Sequence, residues 1–420
     1  MKRRDFVEKL SAASLYTTLL IQHQNKINSF HDPEFSKDYW KDVKRDFPIA
    51  NRLDNYLNLN SGSAGTMSTS TLDGLQDLVV EMNRMPPYEA LNSWTSQRGL
   101  LKEKLSTLVD CNNDEISIIR NTTEGLNLII SGIPIDSGQE ILSAKHDYPH
   151  SLFAIKQRCD RDGLIDNNVS VDLSQGDDHI VDTYVGAFTS KTRVLLLTHI
   201  THRQGYIMPI KRIVAEANKR DISVVLDAAH SVGQIDHSIR DLAVDYYVSS
   251  LHKWLNAPHS TGLLFVKKEN IKSLKPLMAS DPKVIDSMVK FEYIGTRTFH
   301  QEVGILFALQ ELEAMTLLKK EARLRYLTTY WIEKAKRIPG FNAISSYDPE
   351  KYCGVFTFSI DGVGAGQVRS TLQNDYQIHT KTVGTKPKSG LRISTNVYHL
   401  ESDLDRFVDA LSEISTKLDN

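Results

Sequence analysis

Val224-Val225-Leu226-Asp227-Ala228-Ala229-His230 and, beginning 22 residues after that aspartate, Ser249-Ser250-Leu251-His252-Lys253-Trp254 decide how this chain folds. In each, an apolar, β-branched or aromatic run gives way to a polar group where a buried strand would end. Open α/β sheets place their ligands beyond the carboxyl ends of such strands. A lone Asp or Lys is ordinarily a solvated surface group. Lys253, however, is flanked by His252 and Trp254, a setting that shields an amine and lowers its pKa toward nucleophilic use. Asp227 puts a fixed negative charge on the same rim.

Outward from this window, short apolar runs recur at 116–119, 140–142, 169–173, 194–198, 224–226, 246–248 and 263–266, most of them separated by helix-like segments. Strands alternating with helices and buried on both faces predict a large, mainly parallel seven-stranded sheet with right-handed crossovers. Beyond Gly295 the order changes to a long helical stretch at 301–337, a strand at 354–360, a helix near 367–373, a strand at 391–394 and a closing helix at 401–418. That is the pattern of a smaller C-terminal α+β domain. The expected division is an N-terminal segment over 1–44, a large α/β domain over 45–295 and a small domain over 296–420.

The 420 residues can bury a large core, and 50 basic against 52 acidic residues, mixed along the chain, leave no stripe to attract nucleic acid. Cys111, Cys159 and Cys353 are odd in number and widely spaced, so neither a disulfide framework nor a zinc site is indicated. At the N-terminus, Lys2-Arg3-Arg4-Asp5-Phe6-Val7 precedes a mildly apolar stretch ending at Ile21. Two readings stand: a twin-arginine export signal, which places the folded protein in the periplasm, or an amphipathic helix of a cytoplasmic protein. No stretch is long and apolar enough to span a bilayer.

An amine and a carboxylate on one rim match what pyridoxal 5′-phosphate (PLP) requires, a lysine to form an imine and an acid to keep the pyridine nitrogen protonated. From about Tyr56 to its C-terminus the chain resembles the class V aminotransferase family, of the aspartate-aminotransferase fold, which includes cysteine desulfurases and isopenicillin N epimerase. The pair D-A-A-H and S-x-H-K carries most of the likeness. The resemblance implies Lys253 as the imine lysine, Asp227 on the pyridine nitrogen, His230 on the phenolic oxygen, and Ser250 and His252 on the phosphate.

Other segments extend it. Asn121-Thr122-Thr123-Glu124-Gly125 follows a strand and opens a helix, whose free N–H groups suit a phosphate, although an ordinary N-cap reads the same. Similarity to the family's T-T-E-G segment implies Thr122 and Thr123 as phosphate contacts. Tyr148, in Asp147-Tyr148-Pro149, takes the position of a ring stacked on the pyridine. In Thr198-His199-Ile200-Thr201-His202-Arg203-Gln204-Gly205, either Thr201 or His202 takes the contact to the phenolic oxygen. As metal ligands, His199 and His202 lack a third partner. Gly295-Thr296-Arg297 resembles a segment whose threonine reaches the neighbouring subunit's phosphate, which implies a homodimer with shared active sites. Arg297 is a candidate on the substrate side, with an acid often found where Thr298 stands. Arg392, in Gly390-Leu391-Arg392-Ile393-Ser394, matches the arginine that clamps the substrate carboxylate, a task its planar fork suits.

The family's reactions begin by exchanging Lys253 for the substrate amine, leaving the lysine free to move a proton. Cysteine desulfurases need a nucleophilic cysteine upstream of the arginine, and residues 376–390 contain none; Cys353 falls on an expected strand. The expected function is therefore isopenicillin N epimerase-like, with epimerase, racemase or aminotransferase chemistry on an amino acid. The alternatives are a C–S lyase without a catalytic cysteine and, in another class, a non-catalytic PLP-binding or exported binding protein.

Overall fold

The computed structural model describes residues 17–25, 27, 37–384 and 389–416. Arg3 and Arg4, on which the export reading rests, lie outside them. Residues 17–25 are helical, with Leu19 in the main core and His23 Nδ1 at 2.9 Å from Gln310 Oε1. After the short strand β1 (Leu57–Asn58) come the seven strands of the large sheet: β2 (Ile116–Ile119), β3 (Glu140–Ala144), β4 (Ile165–Val169), β5 (Thr192–Thr198), β6 (Ser223–Asp227), β7 (Tyr246–Ser250) and β8 (Gly262–Val266). Their spatial order is β2-β8-β7-β6-β5-β3-β4, all parallel except β8, which runs antiparallel to both neighbours.

Successive side chains on a strand point to opposite faces, so each apolar run feeds two cores. Leu195 and Leu197 of β5, with Val224 and Leu226 of β6, enter one cluster; Val194, Leu196 and Val225 enter the other. This two-sided burial is what the uninterrupted apolar runs predicted. The run expected at 169–173 is the exception. The strand there is Ile165–Val169, an edge strand paired only with β3 and partly exposed, while Leu173 plugs the core from a short 3₁₀ turn. An edge strand needs no continuous apolar sequence, and Ile-Asp-Asn-Asn-Val shows none.

The smaller sheet, ordered β12-β13-β10-β9, is antiparallel and consists of β9 (Phe341–Ala343), β10 (Val355–Ile360), β12 (Lys381–Val383) and β13 (Gly390–Ser394). Its core includes residues of the helices Leu317–Ala335, Ala365–Tyr376 and Glu401–Thr416. The single long helix expected at 301–337 is two, His300–Met315 and Leu317–Ala335, divided at Thr316, whose φ of 65° no α-helix allows. The first half packs in the main cluster of the large sheet, and the second contributes Leu327, Trp331 and Ile332 to the core of the small unit. The small unit also recruits Leu57 and Leu59 from the other end of the chain, because β1 pairs in parallel with β11 (Ile378–His379). Among the described residues no helix is long and apolar enough to cross a membrane.

Candidate active site

The carboxyl ends of β2, β5, β6 and β7 deliver Thr122, Thr198, Asp227 and Ser250 to the rim of one cavity of about 230 Å³. Lys253 lines it from the turn after β7. Burial draws the Lys253 ammonium down to about 8 despite the opposing charge of Asp227, which leaves a useful fraction of free amine near neutrality. Its backbone is clamped from the loop at 60–65. The Gly65 N–H donates to the His252 carbonyl at 2.8 Å, and a Cβ on Gly65 would stand 2.0 Å from the Lys253 carbonyl oxygen. Only glycine permits that approach.

Lys253 Nζ lies 3.3 Å from His230 Nε2, and the Trp254 indole N–H donates to His230 Nδ1 at 3.0 Å. An indole nitrogen only donates, so Nδ1 must accept and the proton of a neutral His230 sits on Nε2, aimed at Lys253. Burial, reinforced by Lys253 and Arg392, holds His230 well below the ordinary imidazole range. His230 is therefore a neutral donor toward the cavity.

Asp227 is 3 % exposed and takes the Ala229 N–H at 3.0 Å. Burial raises its carboxyl to about 6, and the nearby Asp147 adds to the rise. Asp147 is itself fully buried, raised to about 6 chiefly by burial, and accepts the Thr198 hydroxyl at 2.6 Å and the Ala144 N–H at 2.8 Å. Of these two neighbouring raised carboxyls Asp227 lines the cavity, where a cation would stabilise its charged form.

At the opposite wall the helix Thr122–Gly132 begins, capped by Asn121, which accepts the Glu124 N–H at 2.9 Å. Ser250 Oγ accepts the Thr122 N–H at 3.1 Å and lies 2.7 Å from the Thr122 hydroxyl. Thr122, Thr123, Ser250 and His252 thus gather at one end of the cavity, where helix N–H groups and hydroxyls suit an anion. His252 adds a condition: Nδ1 faces the Thr261 carbonyl at 3.1 Å and must carry a proton, so Nε2 can donate to a phosphate only after the ring takes up a second one. Burial holds the free ring neutral, near 4.

Of the two readings at the 201–202 turn, the geometry favours His202. Thr201, whose hydroxyl accepts the Tyr206 N–H at 3.0 Å, does not line the cavity, while His202 does, edge-on to Tyr148 with ring centroids 5.2 Å apart. His202 Nδ1 is buried with no hydrogen-bond partner among the described residues. Arg392, 2 % exposed, reaches the His202 carbonyl, Asn60 Oδ1 and Ser63 Oγ at 2.8, 3.0 and 2.8 Å. Neither Thr296 nor Arg297 lines the cavity. Arg297 instead pairs with Glu302 at 2.7 Å, in a network with Arg98, which also holds Glu292. Arg297, a candidate on the substrate side, is thus held in a partly buried ion pair in this chain.

Sequence reasoning passed over Ser63, Asn121 and Thr198 as site residues, although Asn60 to Gly65 stood out as a loop of small residues. It also put Cys353 on a strand; Cys353 lies in a bend before β10, fully buried, its thiol donating to the Gln234 carbonyl at 3.4 Å.

The donor set fits PLP: an amine with lowered pKa, a buried carboxylate for a pyridinium, a hydroxyl-lined helix N-terminus for a phosphate, and the unpartnered His202 Nδ1 on the wall. Comparison with known proteins agrees. The model of the class-V aminotransferase family matches residues 88–407. Isopenicillin N epimerase of Streptomyces clavuligerus is 24% identical over 377 residues, 86% of this chain and 95% of that one. A probable cysteine desulfurase of Chlamydia trachomatis is 26% identical over 400 residues, covering 89% and 98% of the two chains. Among solved structures, the cystine C–S lyase C-DES bound to its product cysteine persulfide superposes with a TM-score of 0.78 at 20% identity, over 86% of this chain and 98% of the other. A cysteine desulfurase of Escherichia coli gives 0.77 at 20% identity, over 90% and 98%. The chain belongs to the class-V aminotransferase family and is a PLP-dependent enzyme.

Proposed function

We propose that the enzyme moves the α-proton of an amino acid, in the manner of an epimerase or racemase, with transamination drawing on the same proton step. The observation that carries this reading is Lys253: an amine lowered to about 8, 3.3 Å from neutral His230 and within the field of Asp227. Bound PLP supplies an electrophilic carbon for the substrate amine and a ring that accepts the electron pair left at Cα. The chain supplies the rest. Asp227 holds the pyridine nitrogen protonated, Thr122, Thr123, Ser250 and His252 hold the phosphate, and Tyr148 packs on the ring. His230 and His202 face the phenolic side. Arg392 orients the substrate carboxylate, and Lys253 takes the proton from Cα; inversion then requires that a proton be returned to the opposite face of Cα.

The three cysteines set the reading apart from sulfur transfer to an enzyme thiol. None lines the cavity, and burial raises Cys111 to about 12, Cys159 to about 11 and Cys353 further still. A second reading, C–S lysis without a cysteine, begins with the same proton abstraction and differs only in whether the substrate carries a β-leaving group. Thr296 supports a homodimer in which this residue completes the partner's phosphate site, since it is exposed and away from its own cavity.

The decisive experiment incubates the holoenzyme with amino acids in D₂O and follows Cα–H exchange, with separate assays for inverted enantiomer, keto acid and sulfide. Exchange that requires Lys253 is expected. An amino acid that perturbs the cofactor's visible band with no exchange at Cα would remove the proton-transfer role.

A further inference from the structure

Lys381 of β12 sits directly opposite Arg392 of β13. Like charges facing each other across an antiparallel pair destabilise a sheet. Here both are drawn to one oxygen: Ser63 Oγ accepts from Arg392 Nη2 at 2.8 Å and from Lys381 Nζ at 3.2 Å.

The surrounding bonds fix that oxygen as an acceptor. His379 Nδ1 lies 3.0 Å from Gln373 Oε1 and so carries its proton, which leaves Nε2 to accept from the Asn60 amide at 3.3 Å. Asn60 Oδ1 then takes the Ser63 hydroxyl proton at 2.8 Å and a second contact from Arg392 Nη2 at 3.0 Å. Ser63 has given its proton away and offers the two cations only lone pairs. Neither cation has a carboxylate partner among the described residues. The Arg392 Nε–H is buried without an acceptor among the described residues, a second sign that the site suits an anion. Burial lowers both groups, and Arg392 lowers Lys381 further.

One α-carboxylate neutralises one of these charges. The other stays unbalanced beside Ser63, which lines the cavity, with Lys381 exposed and Arg392 buried. We propose that the substrate is an amino acid with an acidic side chain, its α-carboxylate on Arg392 and its second carboxylate on Lys381. This rests on the amino-acid reading above.

The test titrates the visible band of the holoenzyme with glutamate against glutamine and aspartate against asparagine. It does so in wild type, Lys381→Met and Lys381→Arg, and it also melts the cofactor-free proteins with and without succinate. Wild type should favour each acid over its amide by about tenfold; Lys381→Met should lose that preference with amide binding changed by less than about twofold, and Lys381→Arg should keep it. Without cofactor, Lys381→Met should melt above wild type, and succinate should raise the wild-type Tm more than the variant's. Equal weakening of acid and amide would place Lys381 on the α-carboxylate and overturn the proposal, as would no change at all. If no amino acid perturbs the band, the amino-acid reading fails instead, and the melting comparison still judges the two-cation site.

Discussion

His230 has one ring nitrogen committed to the Trp254 indole and the other facing Lys253, so its role depends on a neighbour with no contact to substrate. Trp254→Phe frees Nδ1 and lets the proton leave Nε2. Losing one such bond is worth about 1 kcal/mol, so the pH midpoint of the cofactor band should move by about half a unit or more. In a His230→Gln background the same substitution should move nothing, which separates a tautomer effect from simple loss of packing. Lys253, lowered to about 8, predicts that PLP loading of the cofactor-free protein accelerates with pH to a midpoint near 8, read from growth of the visible band. Asp227 gives the opposite slope in stability. Its folded pKa of about 6 stands above the ordinary value of about 3.9, so stability is fullest below pH ~4 and falls as pH rises through 6. Asp227→Asn should therefore stabilise the cofactor-free protein at pH 7.5 by up to roughly 3 kcal/mol and by almost nothing at pH 4, measured by urea unfolding. At this scale the sequence disclosed residue types and spacing, enough for Asp227 and Lys253. It did not disclose hydrogen-bond direction, which needs the Trp254 side chain placed in space.

The helix Thr122–Gly132 and the end of β7 meet through Ser250, which ties the two elements proposed to hold the phosphate. Ser250→Ala removes that tie and a hydroxyl contact to an anion, a bond to a charged group worth about 1.5–3 kcal/mol, so PLP affinity should fall about 10- to 100-fold. Fluorescence titration of the cofactor-free protein measures it; unchanged affinity would take Ser250 out of the phosphate site. Elements were legible where burial is two-sided. The runs at 194–198 and 224–226 lie within β5 and β6, as short apolar runs with β-branched residues do when a strand is buried on both faces. Legibility ended where burial is one-sided or local sequence is neutral. Edge strand β4 has polar residues, and Thr316 breaks a helix with no Gly or Pro to mark it. The short strands β9 and β12 carry too few residues for a period to show.

At the scale of the whole molecule, Arg392 joins three segments remote in sequence: its own strand in the small unit, the 60–63 loop and the His202 turn. No local pattern encodes such a meeting, and only family likeness marked Arg392 beforehand. The same holds for Thr296, placed on the surface near an ion-pair network of Arg98, Arg297, Glu292 and Glu302. If Thr296 serves the partner's phosphate, the two kinds of site residue reside on different chains, and damage to each can be complemented. A Lys253→Ala chain has no imine lysine but an intact Thr296; a Thr296→Tyr chain keeps Lys253 and blocks its neighbour's phosphate site with a bulky ring. Each homodimer should be inactive. In a randomly mixed population half the dimers are hybrids, and each hybrid contains one site with both Lys253 and a neighbouring Thr296. Reassembly of equal amounts should therefore recover about a quarter of wild-type activity. Activity no greater than the sum of the two separate variants would confine each site to a single chain.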